Sequence, residues 1–135
     1  MASWAITIDI DAPPETVWAF IGDPTTVPQW YPKYVSCEVQ GHARTLRTAE
    51  GAVLHETLLE RNEDMRFYSY SVVSGAPVRT HLASFQVTAE GAGSRIRWGT
   101  TAEPIDPSVD LEGRLTASQT EAMQRVKAIL ERSGD

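Results

Sequence analysis

The chain has 135 residues, and 41% of them are hydrophobic; twelve Lys and Arg face eighteen Asp and Glu for a formal net charge of -6. This fits one ordinary globular domain, residues 1–135, which buries about two-thirds of its unfolded surface, and it speaks against disorder. The negative balance, with basic residues scattered singly, argues against a nucleic-acid partner, and the single cysteine, Cys37, leaves no internal disulfide and no multi-cysteine metal site.

From the start, Trp4, Ile6, Ile8 and Ile10 alternate with Ala5, Thr7 and Asp9, the pattern of a half-buried strand. The opening Met1-Ala2-Ser3-Trp4 has no basic leader, Asp9 and Asp11 interrupt the first apolar stretch, and no apolar run nears the roughly 18 residues that span a bilayer. A cytoplasmic protein without membrane insertion is therefore expected. Pro13-Pro14-Glu15 followed by Val17, Trp18, Phe20 and Ile21 reads as a short helix, stopped at Gly22-Asp23-Pro24. Residues 25–30 make a second short helix, ended by Pro32.

The period then changes to two. Strands are predicted over 34–40, 44–48, 53–61, 65–73, 80–89 and 94–103, with turns at Gly41, Glu50-Gly51, Asn62-Glu63-Asp64, Ser74-Gly75-Ala76-Pro77 and Glu90-Gly91-Ala92-Gly93. After them Asp106 caps a helix of about 24 residues that starts at Pro107 and carries an apolar stripe of Leu111, Leu115, Ala122, Val126 and Ile129, with Met123 and Leu130 beside it. Helices on one side of an antiparallel meander make an α+β fold. Strand 1 has no hairpin neighbour, and pairing with the last strand lets the sheet curl around the long helix.

Alternation assigns the faces. Ile96, Trp98, Thr100 and Ala102 share the inner side of the last strand, and Ala83, Phe85 and Val87 that of the strand before it; His81 has the same parity. Tyr68, Tyr70 and Val72 are taken as inward. Glu56 lies among Leu54 and Leu58, and Arg44 beside Leu46, so an inward Arg44 neutralises an inward Glu56.

Several stretches resemble the START/Bet v 1-like (SRPBCC) superfamily, and within it the polyketide cyclase/dehydrase and lipid-transport group: IDAPPETVWAFIGDPTTVPQWYP, GHARTL, EGAVLHETLL, MRFYSYSVVSGAPV and GAGSRIRWGTTAEP, which occur in family order and cover most of residues 4–104. None of them is a catalytic signature. The resemblance implies a helix-grip fold: a curved seven-stranded antiparallel sheet around the C-terminal helix, with two short helices after strand 1 and a cavity between sheet and helix. Relatives bind or transform apolar small molecules there. They often carry an aromatic residue, commonly tyrosine, where this chain has His81.

Two functions stay open on this reading. One is an enzyme that cyclises, aromatises or dehydrates a polyketide-like β-carbonyl compound, with His81 moving protons and Arg44, Tyr70 or Tyr68 holding the carbonyl oxygen. Glu56 with Arg44 would polarise a ketone or enolate; the plainer alternative is a structural ion pair. The chemistry needs no cofactor, and no metal-ligand spacing is visible. The other is a carrier or sensor in which the same residues only select and orient a hydrophobic ligand. Trp30, Tyr68, Phe85, Trp98, Thr100 and Met123 are the candidate ligand contacts; Trp30 and Tyr31 either guard the cavity mouth or anchor the short helix. Monomer and homodimer both remain possible partners of the ligand reading. Cys37 is expected to be a buried, inert thiol.

Overall fold

The structure is a computed structural model that describes residues 1–133. In chain order it contains β1 (Ala2–Ile10), α1 (Pro14–Ile21), α2 (Val27–Trp30), β2 (Tyr34–Gln40), β3 (Ala43–Thr48), β4 (Val53–Asn62), β5 (Phe67–Ser74), β6 (Val78–Glu90), β7 (Gly93–Pro104) and α3 (Leu111–Ser133). The seven strands form one antiparallel sheet in the order β1-β7-β6-β5-β4-β3-β2. The opening strand pairs with the last, from Ala2 opposite Ala102 to Ile10 opposite Ser94. The sheet curves around α3, with α1 and α2 after β1, as the α+β expectation had it.

The alternation is kept where it was read. Ile96, Trp98, Thr100 and Ala102 are buried, as are Ala83, Phe85 and Val87, while their strand neighbours are exposed or half-buried. The core centres on aromatic rings: Phe85 stacks on Trp98 with centroids 4.7 Å apart, and Trp30 meets both edge-on at 5.8 and 5.7 Å. Trp30 is only 2% exposed, so it anchors α2 to the sheet.

Local hydrogen bonding moves several boundaries. The long helix begins at Leu111, not Pro107, and its cap is Asp110, whose carboxylate accepts the Gly113 N–H at 3.0 Å. Asp106 instead closes a turn of its own, accepting from the N–H and Oγ of Ser108 at 3.0 and 2.8 Å. Asp110→Ala is expected to cost about 1 kcal/mol and lower the melting temperature by a few degrees; Asp106→Ala, read by the same thermal melt, leaves the helix content unchanged. The second short helix starts at Val27 because the Asp23 carboxylate takes the Thr25 N–H at 3.0 Å, holding residues 23–25 in a turn. β5 starts at Phe67 rather than Met65 because the chain turns through Arg66 at φ 51°.

Irregularities shape the sheet near its middle. β4 and β5 lose register between His55 and Glu56, so that Glu56 faces Val72 while Val73 has no partner. Such bulges bend a strand and commonly flank functional sites. The β5–β6 ladder stops at the pair Tyr70 and Ala83, and beyond it the two strands part. The turn that joins them needs Gly75: at φ +99° a β-carbon would stand 2.2 Å from the Val53 carbonyl oxygen.

Candidate functional site

Between the inner face of the sheet and the first half of α3 lies a cavity of about 400 Å³. Its walls are mainly apolar: Trp30, Phe85 and Trp98 at the back, Leu46 and Leu54 along one side, and Leu111 and Leu115 of α3 opposite. Two wider hollows, about 660 Å³ beside Trp18 and about 530 Å³ on the sheet's outer side, lie more open to solvent. In the first of these the basic groups are already matched, Arg61 with Glu63 and Arg66 with Glu15. The cavity under α3 has the enclosure and the apolar lining of a small-molecule site.

Its polar end is built by the strand register. Arg44 on β3 stands directly opposite Glu56 on β4. Both side chains turn inward, and the ion pair is closed at 2.6 Å with side chains only 3% and 5% exposed. Arg44 Nε and Nη2 both end on Glu56 Oε1. Its Nη1 donates to the Pro24 carbonyl at 3.2 Å and to Tyr68 Oη at 3.4 Å, and its guanidinium carbon lies 4.7 Å from the Tyr70 ring centroid. Burial works against the Arg44 charge, but Tyr68, Glu56 and Tyr70 outweigh it and hold the guanidinium firmly protonated. Burial also pushes the Glu56 carboxyl above the usual range, and Arg44 only partly reverses this.

Because Arg44 uses a single oxygen of Glu56, Oε2 takes no hydrogen bond among the described residues, yet no buried polar atom is left unsatisfied there. Oε2 therefore opens on the cavity, which Glu56 lines. His81 reaches the same space. Its Nδ1 accepts the Val72 N–H at 3.2 Å, where β5 and β6 have parted. That bond fixes the neutral tautomer with the proton on Nε2, which makes no hydrogen bond among the described residues, in a side chain that lines the cavity. Burial, and then the nearby Arg44 charge, lower the His81 pKa to about 4. The third unengaged group is the Tyr34 hydroxyl, kept protonated because burial raises its pKa.

The His81 shift has a consequence for stability. Below about pH 6.5 the unfolded chain takes up a proton that folded His81 refuses until about pH 4. The folded state is thus favoured above pH 6.5 and loses that advantage as the pH falls through the window, by about 2–4 kcal/mol in all. Urea melts at pH 7 and pH 4.5 are expected to show this loss in the parent and a smaller one in His81→Gln, whose amide oxygen can still accept the Val72 N–H.

The matching family is described as polyketide cyclase / dehydrase and lipid transport, and the match covers residues 1–131. The chain belongs to this family. Solved structures agree. The protein XoxI from Bacillus cereus superposes with a TM-score of 0.87 at 25% identity, covering 96% of both chains. A START superfamily protein from Mycobacterium smegmatis gives 0.80 at 15% identity, covering 96% of this chain and 97% of its own. The major latex-like protein 151 of Panax ginseng gives 0.78 at 15%, covering 94% and 95%. The last two establish the fold alone. No curated protein matches the chain.

In this member of the family the cavity gathers Arg44, Glu56, Tyr70 and His81, with Trp30, Phe85 and Trp98 in its walls. Three other candidates stand behind the lining. Tyr68 is 2% exposed and serves Arg44. Thr100 accepts from Gln119 Nε2 at 3.2 Å. Met123 sits deeper in the core, 2% exposed, at a level of α3 below the cavity. The Tyr70 hydroxyl already accepts from Trp98 Nε1 at 3.0 Å. Sequence reasoning did not single out Tyr34 or Gln119. Gln119 bridges β1, β7 and α3, since its Oε1 accepts from Trp4 Nε1 at 3.0 Å. Its signal was a polar residue inside an otherwise apolar helical stripe. Cys37 is half-buried; burial raises its pKa, and its Sγ lies 3.3 Å from the Pro24 carbonyl. Among the described residues no three His, Cys, Asp or Glu side chains gather as metal ligands, and no helix is long and apolar enough to cross a membrane.

Proposed function

We propose that the chain binds an apolar, oxygen-bearing small molecule in the cavity under α3 and rearranges it by proton transfer, closing a ring or expelling water from a polyketide-like β-carbonyl compound. The observation that carries this reading is the unengaged Oε2 of Glu56, a buried carboxyl with a raised pKa inside an apolar cavity. Burial makes such a carboxylate a stronger base than one in water, which suits it to removing an activated C–H proton.

The roles follow from what each atom is free to do. Glu56 Oε2 takes the proton from the carbon between two carbonyls. The resulting enolate oxygen accepts hydrogen bonds from His81 Nε2–H and the Tyr34 hydroxyl. The enolate carbon attacks a second carbonyl of the same folded chain, and the protonated Glu56 gives its proton to the alkoxide that forms; Glu56 then takes the remaining proton of the attacking carbon and returns it to the new hydroxyl, which leaves as water. Arg44 touches none of the reacting atoms; it positions Glu56. With a pKa of about 4, His81 is neutral at pH 7, so it donates to the enolate oxygen rather than shuttling the proton. The walls of Trp30, Phe85 and Trp98 fold the substrate and exclude water.

The alternative of a carrier is favoured by one observation: each of the three Arg44 guanidinium nitrogens already has a partner within the protein. Incubating the purified protein with a synthetic poly-β-ketone and following the mass of the small molecule decides between them. A product lighter by one water, formed faster than in buffer, is expected. Binding seen by native mass spectrometry without any new mass would leave only the carrier.

A further inference from the structure

Charge at the cavity rim narrows the ligand class. Seven of the chain's twelve Lys and Arg meet a carboxylate among the described residues. Lys33 and Arg114 do not, although the chain carries a net charge of -6, and both line the cavity under α3. Both are exposed, so they stand at its solvent end, while Glu56 is buried, only 6% exposed, and His81 is half-buried. Lys33 holds its ammonium 5.5 Å from the centroid of the Tyr34 ring, itself part of the lining.

The position of Arg114 is informative because no carboxylate among the described residues pairs with it. It lies in the first turn of α3, where the helix dipole disfavours a cation. Asp110, four residues before it, spends its carboxylate on the helix cap, and neither Asp110 nor Glu112 lines the cavity. Two unmatched cations thus flank the opening of an apolar cavity in which Glu56, the one lining carboxylate among the described residues, is taken up by Arg44.

We infer that the ligand is an amphiphile with an anionic head: its apolar body fills the cavity and a carboxylate or phosphate rests between Lys33 and Arg114. This rests on the cavity being a ligand site, as proposed above, and adds which end of the ligand faces solvent. It also sets the direction of insertion. The reacting carbonyls enter first, toward Glu56, and the charged end stays at the rim.

Decanoate, decyl phosphate and decanol separate the terms, measured by calorimetry or by displacement of a fluorescent apolar probe. The two anions are expected to bind at least ten-fold more tightly than the alcohol, with an advantage that shrinks as salt is raised. In Lys33→Gln/Arg114→Gln the anions lose about ten-fold while decanol is unchanged. The stronger of the two anions identifies the head, carboxylate or phosphate. Equal affinity for decanol and the anions, or a variant that leaves their ratio intact, would overturn the inference and leave the cavity reading standing. If none of the three binds or displaces the probe, the cavity reading fails and takes the inference with it.

Discussion

Arg44→Met is expected to destabilise the protein by about 3–5 kcal/mol, because it leaves the Glu56 carboxylate buried without a counter-charge. The pair is closed at 2.6 Å with side chains only 3% and 5% exposed, so little solvent is at hand to replace the lost cation. Two companion measurements separate this cause from lost packing. The double variant Arg44→Met/Glu56→Leu removes both charges and is expected to be about as stable as the parent or more so, since well-packed apolar residues often replace a buried ion pair at no cost. The deficit of the single variant also depends on pH. Glu56 already has a raised pKa in the fold, and loss of Arg44 raises it further. A group whose folded pKa exceeds its unfolded value favours folding at low pH and loses that contribution as pH rises. The single variant is therefore closest to the parent in acid and furthest from it at neutral pH. Urea melts of the three proteins at two pH values test this; a constant deficit, or a double variant as weak as the single one, rules out the charge explanation.

Glu56→Gln has the second large effect, on turnover. The amide keeps the shape and can still accept from Arg44, but it cannot take a proton. For the ring closure proposed above, kcat is expected to fall by about 10²–10⁴-fold while ligand affinity shifts by less than ten-fold. Stability must be read alongside, since Arg44 then carries an unbalanced buried charge. A variant that folds, binds and turns over as fast as the parent would remove Glu56 from the chemistry. His81→Gln tests the other half: a smaller loss of kcat is expected, because one hydrogen bond to the enolate is weakened while the proton acceptor remains.

The fold was legible because its signals are local and repeated. Alternation in β1, β6 and β7 gives the buried face directly, and inward parity at Arg44 and Glu56 gives their pairing. Boundaries were less legible where a side chain takes a backbone N–H, as Asp23, Asp106 and Asp110 do. An aspartate ahead of a helix takes an N–H two or three residues further on, either as the helix cap or within a turn of its own, and composition alone does not decide which. The site was only partly legible. Parity brings Tyr68, Thr100 and Met123 inward, but inward is not the same as lining, and their depth depends on where α3 crosses the sheet. That Glu56 keeps one oxygen unengaged follows from how the Arg44 fork meets it, and the lowered His81 pKa from burial and the placement of a neighbouring charge. Neither is a property of sequence spacing.

The pairing of β1 with β7 has a consequence in time. Residues nearly a hundred positions apart must meet before the sheet is complete, from Ala2 against Ala102 onward. Closing so long a loop is entropically expensive, and folds dominated by such contacts form slowly. On the ribosome β1 emerges first and waits, unpaired and half apolar, until β7 has been made. The cavity comes into being only with α3, which emerges after all seven strands. A nascent chain therefore has nowhere to hold a ligand until α3 has been made and packed, and whatever occupies the cavity is taken up by a domain that has already folded.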